Sequence, residues 1–218
     1  VVVGILGVET MFGEITGRFR VIDALATLAF DYPPRSRYFR GELEQFMLLI
    51  REEHVEPLVA LGSYAGAMGA PQFMPTSYRA YSVDGDGDGK RDLWGSWDDV
   101  IASVANYLAR HGWRDGEPIV VPARLRDADL SKFDTSKLAL NETVDSLRAK
   151  GVEFDTDLPG TAPAMLVVGE GKDGPEYRVG FTNFYAITRY NRSTMYAMVV
   201  NDLGEAIAGV VAEANAET

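Results

Sequence analysis

The sequence predicts a mainly helical α+β fold with a small β-containing insert, and three observations support that class. Apolar residues recur at helical spacing through the N-terminal half and again near the C-terminus. From about Glu117, runs such as Ile119-Val120-Val121 are broken by Gly, Pro and Asp, which is the texture of short strands. At 218 residues and 46% hydrophobic, the chain can form one sizeable core, or a main domain with a smaller companion.

Val1 to Val8 reads as a helix apolar almost all round, which is normally buried. Glu9 stands near its end. Desolvation there disfavours the charged carboxylate and raises its pKa toward the range where it can donate a proton near neutral pH. An acid held only by local hydrogen bonds is the competing reading. Val21 to Phe30 is an Ala- and Leu-rich helix with Asp23 near its start as N-cap, and Tyr32-Pro33-Pro34-Arg35 breaks it. Phe39, Leu43, Phe46, Met47 and Ile50 mark the clearest amphipathic helix, with Glu42 and Glu44 on its solvated face.

Gly62 to Pro71 is rich in small residues and reads as backbone that something approaches closely. A short helix follows Pro75, an Asp/Gly loop spans 84 to 92, and a helix through Val100, Val104 and Leu108 ends near Gly112. Ile119 to Val121, Ala164 to Val168 and Tyr177 to Phe181 read as strands, with a short helix from Thr143 to Lys150 among them. Ala186 to Tyr190 and Ser193 to Ala208 return to helix. The expected organisation is a helical core over 1–116 that holds an acidic loop at 84–99, a β-containing part over 117–181, and a return to the core over 182–218. The chain begins with Val inside an apolar segment, so the opening reads as cut into an element, with residues upstream.

A formal charge of −11 and a pI near 4.7 argue against nucleic acid as the main partner, because phosphate binding needs clustered Lys and Arg. They also argue against binding anionic membranes by charge; a neutral substrate or a cation fits better. With no cysteine there is neither disulfide nor thiolate chemistry. The longest apolar run falls far short of a membrane span.

Asp84, Asp86, Asp88 and Asp92 occupy positions 1, 3, 5 and 9 of an EF-hand loop, and Gly89 stands at the sharp turn. Lys90 would offer its carbonyl oxygen. Gly95 stands where the closing Glu is usual, so the last ligand comes from Asp98 or Asp99. The implied ion is one structural Ca²⁺. Gly169 to Gly174 matches GxGxxG, but Pro175 and a strand follow rather than a helix, so it reads as a hairpin loop. His54 and His111 lack metal-ligand spacing, and no GxSxG is present. Gln72 to Ser77 and Asn183 to Tyr190 combine amides, hydroxyls and aromatics, a mixture suited to oligosaccharide and equally to a core with capped loops.

Together, Gly7-Val8-Glu9-Thr10 with Gly13, Asp23 to Leu28, Gly66 to Pro75, the Asp84 loop with Asp92-Leu93-Trp94, Ser103 to Tyr107 and Asn183 to Asn191 resemble the B-type lytic murein transglycosylases, in order along nearly the whole chain. The resemblance implies a lysozyme-like α+β core, an additional N-terminal helical part, a single EF-hand-like Ca²⁺ site and cleavage of the MurNAc-β-1,4-GlcNAc bond with 1,6-anhydro ends. It implies Glu9 as the lone acid and base. Ser63, Met68, Gln72, Phe73, Tyr107, Asn183 and Tyr190 would line the glycan groove, and Arg35 would reach the substrate. Asp84, Asp86, Asp88, Lys90 and Asp99 would hold calcium, Asp99 aligning better than Asp98. The family often has two arginines where this chain has Pro34-Arg35. Implied partners are peptidoglycan strands, with cell-wall synthesis or divisome proteins beyond what sequence can read. The implied location is the periplasm of a Gram-negative bacterium, soluble or lipid-anchored through an upstream segment. A hydrolytic muramidase on the same fold and a calcium-stabilised, non-catalytic wall-binding module are the alternatives.

Overall fold

The opening segment forms α1 (Val2–Thr10) in the computed structural model, which describes residues 1–216. Gly4, Ile5, Leu6 and Thr10 are buried, while Val3 is 46% exposed, so burial is one-sided rather than all-round. β1 (Phe19–Arg20) leads directly into α2 (Val21–Phe30). Arg20, not Asp23, holds the N-cap position. Asp23 lies in the first turn, where a carboxylate complements the helix dipole, and it accepts a 2.6 Å hydrogen bond from Arg20 Nε.

A 3₁₀ turn at Pro33–Arg35 precedes α3 (Ser36–Glu52), whose Phe39, Phe46, Leu49 and Ile50 pack into the core. Glu42 shares that buried face at 5% exposure, against the expectation of a solvated one. Its carboxylate accepts the Thr76 N–H at 3.0 Å and also the Thr76 hydroxyl. It thereby serves the N-terminus of α4 (Pro75–Tyr81), where free N–H groups favour an anion. Periodicity places a residue on a face but cannot see a partner from another helix.

β2 (Leu61–Gly62) pairs antiparallel with β1, Phe19 opposite Gly62. α5 (Trp97–Arg110) follows the acidic loop, and Gly112 at φ 91° turns the chain away beyond it.

Contacts divide the chain into two compact units at Tyr107 and Leu108, inside α5. The second unit holds a five-stranded antiparallel sheet of β3 (Val120–Leu125), β4 (Glu142–Thr143), β5 (Val152–Glu153), β6 (Pro163–Gly171) and β7 (Gly174–Gly180), in the order β4-β6-β7-β3-β5. Gly171 pairs with Gly174, so the GxGxxG stretch closes the β6–β7 hairpin as expected. α6 (Val144–Ala149) starts at a capping box in which Thr143 and Ser146 each accept the other's backbone N–H. Val144, Leu147, Val152, Leu166, Val179 and Phe181 form the core of this unit.

α7 (Thr182–Tyr190) and α8 (Thr194–Ala216) follow the sheet within the second unit. Arg178 on β7 holds Asp202 on α8 at 2.6 Å. By length and composition α8 could cross a membrane, unlike anything in the sequence expectation. Tyr196, Ala197, Val200 and Asn201 on it are buried, and its Asp202 pairs with Arg178 of β7.

Glu142 ties β4 to α6, with its side chain only 9% exposed beside Lys150. Burial pushes its carboxyl up, but hydrogen bonds from the Lys150 ammonium and Ser146 hydroxyl outweigh burial and hold it below the ordinary carboxylate range. A depressed folded pKa gives stability that is present above the unfolded value and lost as pH falls through the folded one. Glu142→Gln should therefore cost about 1 kcal/mol in urea unfolding at pH 7, and much less near pH 3.

Candidate active site

Glu9 is half-buried in the last turn of α1, and what fixes it is the way that helix ends. Met11, Phe12 and Gly13 take successive left-handed φ values of 49°, 58° and 87°. Two of the three carry side chains, so the turn is strained and needs outside support. Met11 N–H and Phe12 N–H donate back to Gly7 and Leu6, closing the helix end. Thr10, 1% exposed, supplies the rest. Its Oγ1 accepts Gly13 N–H at 3.0 Å and donates at 2.9 Å to the Ala70 carbonyl, while its own carbonyl accepts Ile15 N–H at 2.9 Å. On the other side, a Cβ on Gly13 would come 3.1 Å from the Trp97 ring, so only glycine fits without displacement.

Ala70 belongs to the small-residue segment, which folds as a tight double turn. Met68 and Phe73 exchange backbone hydrogen bonds of 2.8 and 3.1 Å, and both side chains are buried. A Cβ on Gly69 would lie 2.2 Å from the Leu93 carbonyl, so the close backbone approach expected here is made by the chain itself. Ser63 Oγ accepts from the N–H groups of Ala65 and Ala67, and its hydroxyl proton has no acceptor among the described residues. Gln72, left-handed at φ 53°, donates through Nε2 to the carbonyls of Thr16 and Gly69 at 2.9 Å, leaving Oε1 unused among the described residues. Tyr107 packs on Phe73 with ring centroids 5.6 Å apart. The N-terminal unit thus gathers Ser63, Met68, Gln72, Phe73 and Tyr107, and Thr10 joins this group to the end of α1.

Arg35 lies over the rings of Tyr38 and Phe39, at 4.6 and 5.1 Å, and lines a cavity of about 730 Å³ with Tyr38, Glu42 and Thr76. Asn183 and Tyr190 belong to the second unit. Asn183 is fully buried: Oδ1 accepts Arg114 N–H at 2.7 Å and Nδ2 donates to the carbonyls of Arg114 and Glu117 at 2.8 Å. Tyr190 stacks on Tyr196 at 6.4 Å.

In the acidic loop, Asp84, Asp86 and Asp99 bring carboxylate oxygens within 4.8 Å of one another. Asp98 is exposed, whereas Asp99 is 1% exposed and accepts the N–H groups of Gly85 at 2.7 Å, Asp86 at 3.4 Å and Asp92 at 2.6 Å. Three converging carboxylates form a hard oxygen set that suits a divalent cation. Asp88 and Asp86 each accept the N–H two residues on, as in the Asx turns of such loops. Sequence reasoning missed Thr10's bridging role and Glu42's burial, since each partner lies far along the chain.

Residues 1–205 match the family described as the transglycosylase SLT domain, and the chain belongs to that family. It is 46% identical over 208 residues to membrane-bound lytic murein transglycosylase B of Escherichia coli (strain K12), covering 95% of this chain and 56% of that protein. The chain therefore spans about half the length of this curated relative. Among solved structures it is similar to catenated lytic transglycosylase SltB1 from Pseudomonas aeruginosa, with a TM-score of 0.92 and 50% identity over 96% of this chain and 69% of that one. It is also similar to the E. coli lytic transglycosylase Slt35 in complex with calcium, with a TM-score of 0.86 and 44% identity over 96% and 65% of the two chains. The α+β, lysozyme-like fold class expected from sequence is the one found.

Thr10→Val keeps the volume but removes the bonds to Ala70 and Gly13, leaving buried groups unpaired. Urea unfolding should register a loss of about 1–3 kcal/mol, with Thr10→Ser recovering most of it.

Proposed function

We propose that this chain is a peptidoglycan lytic transglycosylase that cleaves the MurNAc-β-1,4-GlcNAc bond and leaves 1,6-anhydroMurNAc ends. The observation that carries the reading is Glu9, held beside a strained turn that Thr10 ties to the Ser63–Gln72 segment. Protonated Glu9 gives its proton to the glycosidic oxygen. The resulting carboxylate then takes the proton of the muramoyl 6-hydroxyl as that oxygen attacks C1, so one residue serves as acid and base. Glycosidases that use water need two carboxylates about 5 Å or more apart. Here Glu42 is committed to α4, and Glu14 lies in the exposed turn beyond α1. An internal hydroxyl also gains from proximity.

The Ser63 hydroxyl and Gln72 Oε1 are the two groups able to bond sugar amides or hydroxyls. Met68 and Phe73 back them from the core, and Tyr107 braces Phe73. Arg35 reaches the substrate from its cavity, and Tyr190 is retained as a contact on its motif alone. Asn183 serves instead as a backbone staple for residues 114–117, because its amide is fully engaged.

One structural Ca²⁺ would be held by Asp84, Asp86, Asp88, the Lys90 carbonyl and Asp99. It would neutralise the loop's charge and take no part in the bond cleavage. Peptidoglycan as partner implies a periplasmic location.

On purified murein, the products should carry anhydro ends lighter by one water than hydrated ends; reducing ends would indicate a hydrolase instead. Glu9→Gln should lose about 10²–10⁴-fold in turnover while retaining glycan binding, whereas a non-catalytic wall-binding module would lose nothing. Removing calcium with a chelator should lower the melting temperature, since a free ion at about a hundred times its Kd stabilises by about 2.7 kcal/mol. Asp99→Asn should abolish that response, and a melting curve indifferent to chelator would remove the site.

A further inference from the structure

Of the three left-handed residues that follow Thr10, Gly13 alone has no side chain to confine its backbone. Its freedom has to be stopped from outside. Thr10 fixes its N–H through the 3.0 Å bond to Oγ1, but a glycine held at its nitrogen can still rotate beyond it. Trp97 supplies the stop. Its ring atoms Cζ2 and Cη2 lie 3.1 and 3.2 Å from where a Gly13 Cβ would stand, with the Ala70 Cβ at 3.9 Å.

Packing alone does not account for Trp97. It is 48% exposed, and its indole N–H has no acceptor among the described residues, so it gains neither full burial nor a hydrogen bond. The ring is not tightly enclosed either: with Gly13, Trp94, Gly95 and Ser96 it lines a cavity of about 180 Å³. Its place is set by the backbone at the start of α5, which Trp97 opens. Ser96, just before it, is tied in two directions. Its Oγ accepts Asp99 N–H at 3.3 Å, as an N-cap does, and its hydroxyl donates at 2.9 Å to Asp86 Oδ2. Asp86 and Asp99 both belong to the carboxylate cluster assigned above to calcium. Trp97 therefore stands between the acidic loop and the turn that carries Glu9.

We propose that Trp97 is a positioning residue for Glu9. Its indole edge holds Gly13, and through Gly13 the end of α1, in the geometry that proton transfer needs, and Ser96 ties that edge to the acidic loop. Trp97 acts through the turn and makes no contact with the reacting atoms. A displacement of about 1 Å in a catalytic group can cost on the order of 10²-fold in rate, and a glycine released from its stop permits one. The assignment rests on the glycan-cleaving reading above and deepens it.

Steady-state kinetics on a soluble GlcNAc-MurNAc tetrasaccharide, run well below each variant's melting temperature, test the positioning role. Trp97→Ala should lower kcat about 10- to 100-fold and leave KM within about twofold, because no substrate contact is lost. Trp97→Tyr, long enough to reach Gly13, should recover most of the rate. A Trp97→Ala protein that melts lower yet turns over at the wild-type rate would overturn the proposal, as would a change in KM alone. Absence of turnover by the wild-type protein would instead overturn the glycan-cleaving reading, and the positioning role with it. The tie to the loop is read without substrate. Trp97 emission, taken as the difference between wild type and Trp97→Phe, should shift when a chelator removes calcium, and Ser96→Ala should abolish the shift. Emission unchanged by chelator would overturn the tie.

Discussion

The hydrogen bond from Thr10 to the Ala70 carbonyl is the constraint on which the site depends. A helix that ends in three left-handed residues, two of them not glycine, does not hold that shape alone. Thr10 accepts from Gly13 within the turn and donates to Ala70 outside it, so one buried hydroxyl fixes both the turn and the distance to the next segment. Glu9 is its neighbour on the chain and inherits that placement. The strain is local, and one of the bonds that hold it reaches a carbonyl 60 residues away.

Ala70 is also where the acidic loop acts on the site. Its N–H donates to the Leu93 carbonyl at 3.1 Å, and Trp94 Nε1 donates to the Leu61 carbonyl at 2.9 Å, next to β2 and Ser63. Leu93 and Trp94 follow Asp92, whose N–H is held by Asp99. Asp99 therefore braces both ends of its loop, and the loop's exit braces the small-residue segment. Asp99 is almost completely buried, and its charge is met by the backbone N–H groups of Gly85, Asp86 and Asp92.

Much of this was legible in the sequence because it is local. The helix over Ser36–Glu52, the strands at β3, β6 and β7, the β6–β7 turn and the acidic loop each follow from spacing, glycine and proline within one stretch. What was not legible depends on long-range partners. Glu42 has the spacing of a solvated acid until Thr76 supplies N–H and O–H donors. α2 starts two residues before Asp23 because β1 runs straight into it. The tie of α8 to β7 through Arg178 and Asp202 is likewise a long-range pair that no periodicity encodes. Of the candidate residues, those within 63–73 came together because they share one short segment. Tyr107 joins them through its ring contact with Phe73.

The strongly acidic composition takes on a different meaning once individual carboxylates are followed. Glu42 sits at a helix N-terminus, Glu142 on a lysine, Asp202 on an arginine, and Asp84, Asp86 and Asp99 converge in one loop. Glu42, Glu142 and Asp202 are thus architectural acids, each met by a donor that another element supplies.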